Sequence, residues 1–323
     1  MDGARGSGSS RTLVVGAGFL GTAVAEASLA SGQSVTVLSR QPLDDGRAAR
    51  LSHARVVLGD ATDALLVEDA LADADTVVFC AGVAVPTIAA HDLRSAVAES
   101  LPPLLTVLDA LVRRRPTARL LYLSSGGTVY GEPSAELVHE DHPLRPTTAY
   151  GSINVEAERR LATYRSRHGV RTTSLRCANP YGPGQHAGRG QGLIGTLLWS
   201  DDPVPFYGDG STVRDYVYVR DFASAVVALG CVRDELPQAI NIGTGVGTSL
   251  SEVVTLVEKL TERPIPLRYE PARPTDLRRV VLDVSLLLRL IPFDPMPLDQ
   301  GIAATYAEGL AAGVPSAAHR PTY

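Results

Sequence analysis

The stretch that most constrains the fold is a glycine turn near the N-terminus. Residues 12–15 (TLVV) form an apolar run too short and too β-branched for a helix. Gly16, Ala17, Gly18, Phe19, Leu20 and Gly21 follow at once, and the alanine-rich segment 22–30 reads as a helix. Strand, G-x-G-x-x-G and helix in that order suit a dinucleotide. Gly16 permits the tight turn, Gly18 lets the backbone approach a pyrophosphate, and Gly21 lets the helix pack closely on the strand. The N–H groups at the helix start then face the phosphates.

The chain has 323 residues and a formal net charge of −5. That is long enough for one large α/β unit with a smaller second lobe. There is no basic field for nucleic acid, and no unbroken apolar run reaches the roughly 18 residues that cross a bilayer. Residues 1–10 are small and polar, lack the apolar centre of a signal peptide, and read as a disordered leader. Cys80, Cys177 and Cys231 are scattered without metal-ligand spacing. Reduced thiols, a cytoplasmic setting and no bound metal are therefore expected.

Short apolar runs at 35–38, 56–58, 76–79, 120–123 and 170–175 alternate with helical stretches at 64–71, 93–113 and 147–167. This alternation predicts an α/β fold with a Rossmann-type doubly wound parallel sheet, covered on both faces, with ligands at the C-terminal strand ends. Past Arg176 the character changes, and 179–214 is dense in Gly, Pro and Asp around a short helix at 193–199. The strand at 216–219, the helix after Asp221 and the strand at 239–242 are expected to return to the first lobe. Helices at 249–261, 284–291 and 297–311 are assigned to the second. The division is then 11–178 with 215–245 for the dinucleotide domain, and 179–214 with 246–323 for a smaller C-terminal α/β substrate lobe.

The second strand ends in Ser39 and Arg40, where the adenosine ribose of a dinucleotide lies. An acid there would hold both hydroxyls of NAD, whereas an arginine accommodates a 2′-phosphate, so NADP is expected over NAD. In Gly59-Asp60-Ala61-Thr62-Asp63, Asp60 can accept from the adenine amino group with Ala61 beside it. Asp63 is expected to cap the next helix. Cys80, Ala81 and Gly82 are small enough for the backbone to pass the cofactor closely.

Further segments follow in order: Ser124-Ser125-Gly-Gly-Thr-Val-Tyr-Gly131, Arg176-x-x-Asn179-x-Tyr-Gly-Pro183, Gly208-Asp-Gly-x-x-x-Arg214-Asp215-Tyr, Asn241-Ile-Gly-Thr-Gly245 and Arg273-Pro-x-Asp276. With the glycine turn and Gly59-Asp60, they make the chain resemble the extended short-chain dehydrogenases/reductases over about residues 11–311. More narrowly, it resembles their nucleotide-sugar epimerase/dehydratase group. The resemblance implies a nucleotide-sugar substrate. Asn179 would bond a diphosphate or sugar oxygen, and Arg214 and Arg273 would clamp the phosphates. Asp276 would orient Arg273 or meet the nucleotide ribose, and Gln191 to Leu193 would lie near the base. It also implies a homodimer through the helices at 93–113 and 147–167.

The same resemblance implies a Tyr-x-x-x-Lys pair on one helical face and a hydroxyl at the preceding strand end. Tyr150 is present, but the lysine position holds Asn154, and the chain's one lysine, Lys259, lies far along the sequence. The usual hydroxyl falls on Gly126, flanked by Ser125 and Thr128, either of which can serve. A cation 4 Å from a phenol at an effective dielectric near 20 is worth roughly 4 kcal/mol, or about three pKa units. Without it Tyr150 is expected near its ordinary value of about 10, which should harm oxidation-first chemistry more than ketone reduction. Asn154 can still hydrogen-bond the nicotinamide ribose. The expected activity is an NADPH-dependent reduction of a nucleotide-linked keto sugar, of the dTDP-4-keto-6-deoxyhexose type. A nucleotide-sugar 4-epimerase and a catalytically silent binder are the alternatives. Gly127-Thr128 stands where a dehydratase of the group carries Asp-Glu, which disfavours elimination of water.

Overall fold

The computed structural model describes residues 10–82, 92–185, 192–200, 202–273 and 275–314. The expected leader up to residue 9, the residues from 315 on and Gln191 lie outside the described residues. The first half alternates β1 (Arg11–Val15), α1 (Phe19–Ala30), β2 (Ser34–Ser39), α2 (Asp45–Arg50), β3 (Arg55–Leu58), α3 (Ala64–Leu71), β4 (Thr76–Phe79) and α4 (Leu93–Arg114). It continues with β5 (Arg119–Ser125), the one-turn α5 (Gly126–Val129), α6 (Ala149–His168) and β6 (Arg171–Cys177). Local chemistry sets several ends. The Asp63 carboxylate accepts from the N–H groups of Leu65 and Leu66 at the start of α3, as expected. Thr148 caps α6 through Gly151 N–H, and Gly169 closes it in the left-handed conformation at φ 68°.

The remainder runs β7 (Asn179–Tyr181), α7 (Leu193–Trp199), β8 (Val204–Tyr207), β9 (Val213–Tyr218), α8 (Val219–Cys231) and β10 (Ala239–Ile242). Then come β11 (Gly247–Ser249), α9 (Leu250–Thr261), β12 (Leu267–Glu270), β13 (Arg279–Val280), α10 (Ser285–Leu290) and α11 (Leu298–Ala311).

Seven strands form one parallel sheet in the order β10-β6-β5-β4-β1-β2-β3. The chain reverses direction across the sheet at β1, which places the crevice for a ligand beyond the ends of β1 and β4. Alternate residues of each strand feed two cores. Val14, Val37, Val78 and Leu121 belong to one, with α1 and α8 packed against each other. Leu13, Val15, Val77, Phe79 and Leu120 belong to the other, under α3, α4 and α6. Helix α4 is long and apolar enough in composition to cross a bilayer, but eight of its residues, among them Leu104, Val107, Leu108 and Leu111, are buried within the protein.

The strand expected at 216–219 corrects one element. It is real, as β9, but it does not join the large sheet. It pairs with β7, β11 and β13 in a separate four-stranded sheet. Only α8 and β10, which follow it, return to the large sheet and its helices. A third core around Ile194, Trp199, Phe206, Val253 and Ile302 lies under α7, α9 and α11.

Candidate active site

The glycine turn divides its labour as its spacing implies. Gly16 has φ +100°, and a Cβ there would meet Ala81 N at 2.8 Å. A Cβ on Gly21 would fall 1.9 Å from the Gly16 carbonyl oxygen. A Cβ on Gly18 meets nothing within 4 Å. Gly18 is also the N-cap of α1, and no side chain accepts from the first turn. Open space above uncapped helix N–H groups, beginning at Phe19 and Leu20, fits a diphosphate. Gly16 and Gly21 thus serve the fold, while Gly18 borders open space. Gly18→Ala is expected to leave the thermal midpoint of the free protein within about 2 °C, since its φ of −73° suits alanine. Dinucleotide affinity should fall at least tenfold, about 1.4 kcal/mol, as read by fluorescence titration. A normal affinity would remove Gly18 from the cofactor site.

At the ribose end, Ser39 is buried and its hydroxyl donates to the Gln41 carbonyl at 2.7 Å. Arg40 lies 3.5 Å from Glu99 on α4, with both side chains well exposed. Asp60 accepts from the Thr62 N–H and hydroxyl, at 2.9 and 2.8 Å. Those bonds, with a weaker pull from Arg40, hold its carboxyl below the usual range. Ala61 is buried beside it. Beyond β4, Ala81 packs on Gly16, and Gly82 takes φ +136° with Ser100 below it. Burial pushes the Cys80 thiol far up, so it is inert lining.

Tyr150 and Asn154 stand one turn apart on α6, which packs against α5 and β5. Burial pushes the Tyr150 phenol up to about 12, against side-chain hydrogen bonding from Asn154 and Ser125. The expectation of an ordinary value near 10 therefore falls short. Loss of the lysine removes one depressing influence, and desolvation adds an elevating one. Ser125 is the hydroxyl the structure brings to Tyr150. Thr128 Oγ1 is buried without a hydrogen-bond partner in the same turn. A side chain at Gly126 would require Leu282 to shift, because a Cβ there would meet its Cδ1 at 2.7 Å and the Arg176 carbonyl at 3.1 Å.

Asn154 is buried, donating from Nδ2 to the Tyr150 carbonyl at 3.0 Å and accepting at Oδ1 from the Tyr122 hydroxyl at 2.9 Å. One turn further, buried Glu158 accepts from Ser124 Oγ at 2.6 Å and from Arg176 Nη2 at 2.7 Å. Arg176 continues to the Tyr130 hydroxyl at 3.0 Å and the Glu140 carbonyl at 2.8 Å, and Tyr130 donates to Asn241 Oδ1 at 2.6 Å. This network ties the C-terminal ends of β5, β6 and β10 behind the catalytic turn. Tyr122, Glu158 and Tyr130 are not among the site residues expected from the sequence. One available signal was that Tyr122 and Ser124 share a strand face, while Asn154 and Glu158 share a helix face.

Two of the residues expected to meet substrate lie on the smaller sheet. Asn179 sits on β7, its Nδ2 donating to the Asp215 carbonyl at 2.9 Å. Its Oδ1 lies 3.9 Å from where a Gly127 side chain would start, beside the catalytic turn. Arg214 is on the neighbouring β9. It donates to the Val213 carbonyl at 2.9 Å and has no ion-pair partner among the described residues. Burial lowers its pKa, with weaker opposing pulls from Tyr216, Asp276 and Glu132. Asp215 is otherwise engaged. It is buried, and its carboxylate accepts from Thr244 N–H at 2.8 Å, Gly245 N–H at 3.1 Å and Leu282 N–H at 3.4 Å. A half-buried guanidinium with donors to spare is what a diphosphate requires.

Arg273 stacks on the Tyr207 ring, Cζ 3.5 Å from the centroid. Asp276 meets it only through a backbone bond, Asp276 N–H to the Arg273 carbonyl at 3.0 Å. Tyr207, not Asp276, thus supports the Arg273 side chain. Leu193 opens α7 and packs on the smaller core.

A family model described as the NAD dependent epimerase/dehydratase family matches residues 12–243. The chain belongs to that family. It is 32% identical over 310 residues to a UDP-glucose 4-epimerase of Mycolicibacterium smegmatis, covering 91% of this chain and 97% of the relative. A dTDP-4-dehydro-6-deoxyglucose reductase of Escherichia coli is 28% identical over 188 residues, 57% of this chain and 59% of the relative. The solved structure of MoeE5 in complex with UDP-glucuronic acid and NAD superposes with a TM-score of 0.84 at 27% identity, covering 93% of this chain and 99% of that one. The epimerase/dehydratase assignment makes the protein an NAD-linked enzyme of the nucleotide-sugar class with the Rossmann-like fold described above.

Proposed function

We propose that the protein reduces the ketone of a nucleotide-linked keto sugar, of the dTDP-4-keto-6-deoxyhexose class, with NADPH. The observation that carries this reading is that no cation stands beside the partly buried Tyr150 among the described residues, with Asn154 one turn on where a lysine is expected, while burial pushes the phenol up to about 12. At that value only about one molecule in 10⁵ carries phenolate at pH 7, so the group is an acid rather than a base.

The handicap of a weak acid falls on both directions of the step alike, as microscopic reversibility requires. Reduction of a ketone by a reduced nicotinamide runs downhill at neutral pH, whereas a 4-epimerase must complete the uphill oxidation on every turnover. That asymmetry, rather than a selective loss of oxidation, favours a reductase. Gly18 and the uncapped start of α1 would hold the diphosphate of a nicotinamide dinucleotide, which would supply the hydride when bound. Tyr150 gives the proton to the carbonyl oxygen, Ser125 bonds that oxygen, and Asn179, Arg214 and Arg273 hold the diphosphate.

The test is a stopped-flow assay at 340 nm with dTDP-4-keto-6-deoxyglucose. Consumption of NADPH at a rate proportional to enzyme supports the reading, and none under saturating conditions overturns it. The full-length similarity to a UDP-glucose 4-epimerase favours a second reading, 4-epimerisation, which predicts interconversion of UDP-sugars with no net absorbance change. Binding of both ligands without either reaction would mark a silent binder. A homodimer in a cytoplasmic setting belongs to the same proposal.

The cofactor preference rests on Arg40. Its exposed pair with Glu99 is worth about 0–1 kcal/mol, so a 2′-phosphate can displace it. Arg40→Ala is expected to raise KM for NADPH about tenfold, the loss of one charge-assisted bond of about 1.5 kcal/mol, and to leave KM for NADH unchanged. Equal effects on the two would assign the site to NAD.

A further inference from the structure

We infer that Tyr122 and Asn154 work as one unit, in which the Tyr122 hydroxyl fixes the Asn154 amide so that its N–H groups face Tyr150. This rests on the oxidoreductase reading of the site above, and it makes Tyr122 a positioning residue.

The orientation follows from hydrogen-bond inventory. The Tyr150 carbonyl can only accept, so the Asn154 nitrogen must be the atom 3.0 Å from it. The amide oxygen then points the other way, 2.9 Å from the Tyr122 hydroxyl, which must donate. Both side chains are buried, at 6% and 3% exposure, so water does not compete for these bonds. Nδ2 carries a second hydrogen, and Asn154 also hydrogen-bonds the Tyr150 phenol. The chain of donors thus runs Tyr122, Asn154, Tyr150. A donor bonded to the amide oxygen polarises the amide N–H, strengthening the next bond by about 10–30%.

Tyr122 is held for this role. It lies in the middle of β5, between β4 and β6, and its ring stacks on Phe79 at 5.9 Å between centroids. Its hydroxyl fills the space just beyond the Asn154 amide. A longer side chain at 154 must therefore displace it. The tyrosine and the asparagine are complementary, and neither is expected to tolerate exchange of the other.

The test uses Tyr122→Phe, Asn154→Lys and the double variant, each with NADPH and dTDP-4-keto-6-deoxyglucose. Tyr122→Phe should lower kcat three- to tenfold with KM for the sugar nucleotide unchanged. Asn154→Lys should be more damaging, and the double variant should exceed Asn154→Lys at least tenfold. The same Tyr122→Phe change would then harm one background and help the other, which a merely structural role does not produce. Effects that multiply independently overturn the proposal.

A second measurement needs no turnover. The Asn154 side-chain amide, assigned by its disappearance in Asn154→Leu, should exchange with solvent at least tenfold faster in Tyr122→Phe. Faster exchange supports the pairing even if the keto sugar is not reduced, in which case only the proposed function fails. Unchanged exchange overturns the pairing whatever the activity. Should Tyr122→Phe not fold, kcat of Asn154→Leu decides: a three- to tenfold loss at constant KM supports the unit, and full activity overturns it.

Discussion

Tyr150→Phe lowers kcat about a thousandfold or more, within the range for loss of a positioned general acid, and leaves the affinities for dinucleotide and nucleotide-sugar within about threefold. The separation follows from what the side chain does. The ring packs with Ala149 against Ala96 and Ile153, and phenylalanine keeps that contact. Only the hydroxyl is lost, and with it the donor for the carbonyl oxygen. Binding rests elsewhere, on the helix N-terminus and the arginines. The wild-type pH dependence should carry the same signature. A phenol at about 12 stays protonated through pH 6–10, so kcat for reduction is flat across that range where Tyr150 alone decides it. The reverse oxidation uses the phenolate and should rise about tenfold per pH unit, without levelling below pH 10. A variant within tenfold of wild type, or a plateau near pH 8, would remove Tyr150 from the proton step.

Arg214→Met should pull stability and binding in opposite directions. In the free protein the guanidinium is half-buried, burial lowers its pKa, and it has no carboxylate partner among the described residues. Replacing it by an apolar side chain of similar length removes an uncompensated charge, so the thermal midpoint of the free protein should rise by about 1–3 °C. Affinity for UDP and dTDP should fall about a hundredfold, the loss of a bidentate, charge-assisted contact worth about 1.5–3 kcal/mol. Scanning fluorimetry and titration calorimetry read the two effects. A lower midpoint with unchanged affinity would show that Arg214 serves only the smaller sheet.

What the sequence disclosed follows the range over which its signals act. The glycine turn, the Asp63 cap and the Gly169 stop are local: each is set by backbone conformation or by a neighbour within a few residues. They placed the larger sheet and the cofactor cradle. β9 is legible as a strand, but its place in the smaller sheet is not. Tyr216, Val217 and Tyr218 are all buried and would suit either core. The strand's partners include Asn179, Thr248 and Arg279, which lie 34 to 66 residues from the β9 residues they pair with. β7, β11 and β13 are two or three residues long, too short for any periodicity.

The site divides the same way. Tyr150 and Asn154 were legible because a four-residue spacing shares a helix face. Tyr122 was not, since its meeting with Asn154 depends on how a helix crosses a strand 32 residues away. The Arg40–Glu99 pair and the stacking of Arg273 on Tyr207 were equally hidden, because each joins segments with no local relation.

Asp215 carries a consequence for how the molecule comes apart. Its strand belongs to the smaller sheet, yet two of its acceptor bonds go to Thr244 and Gly245, directly after the last strand of the larger one. Peeling either sheet from the other would strand a buried, raised-pKa carboxylate without its donors. The two layers are therefore riveted together, and heat denaturation should give one calorimetric peak rather than a lobe-by-lobe melt.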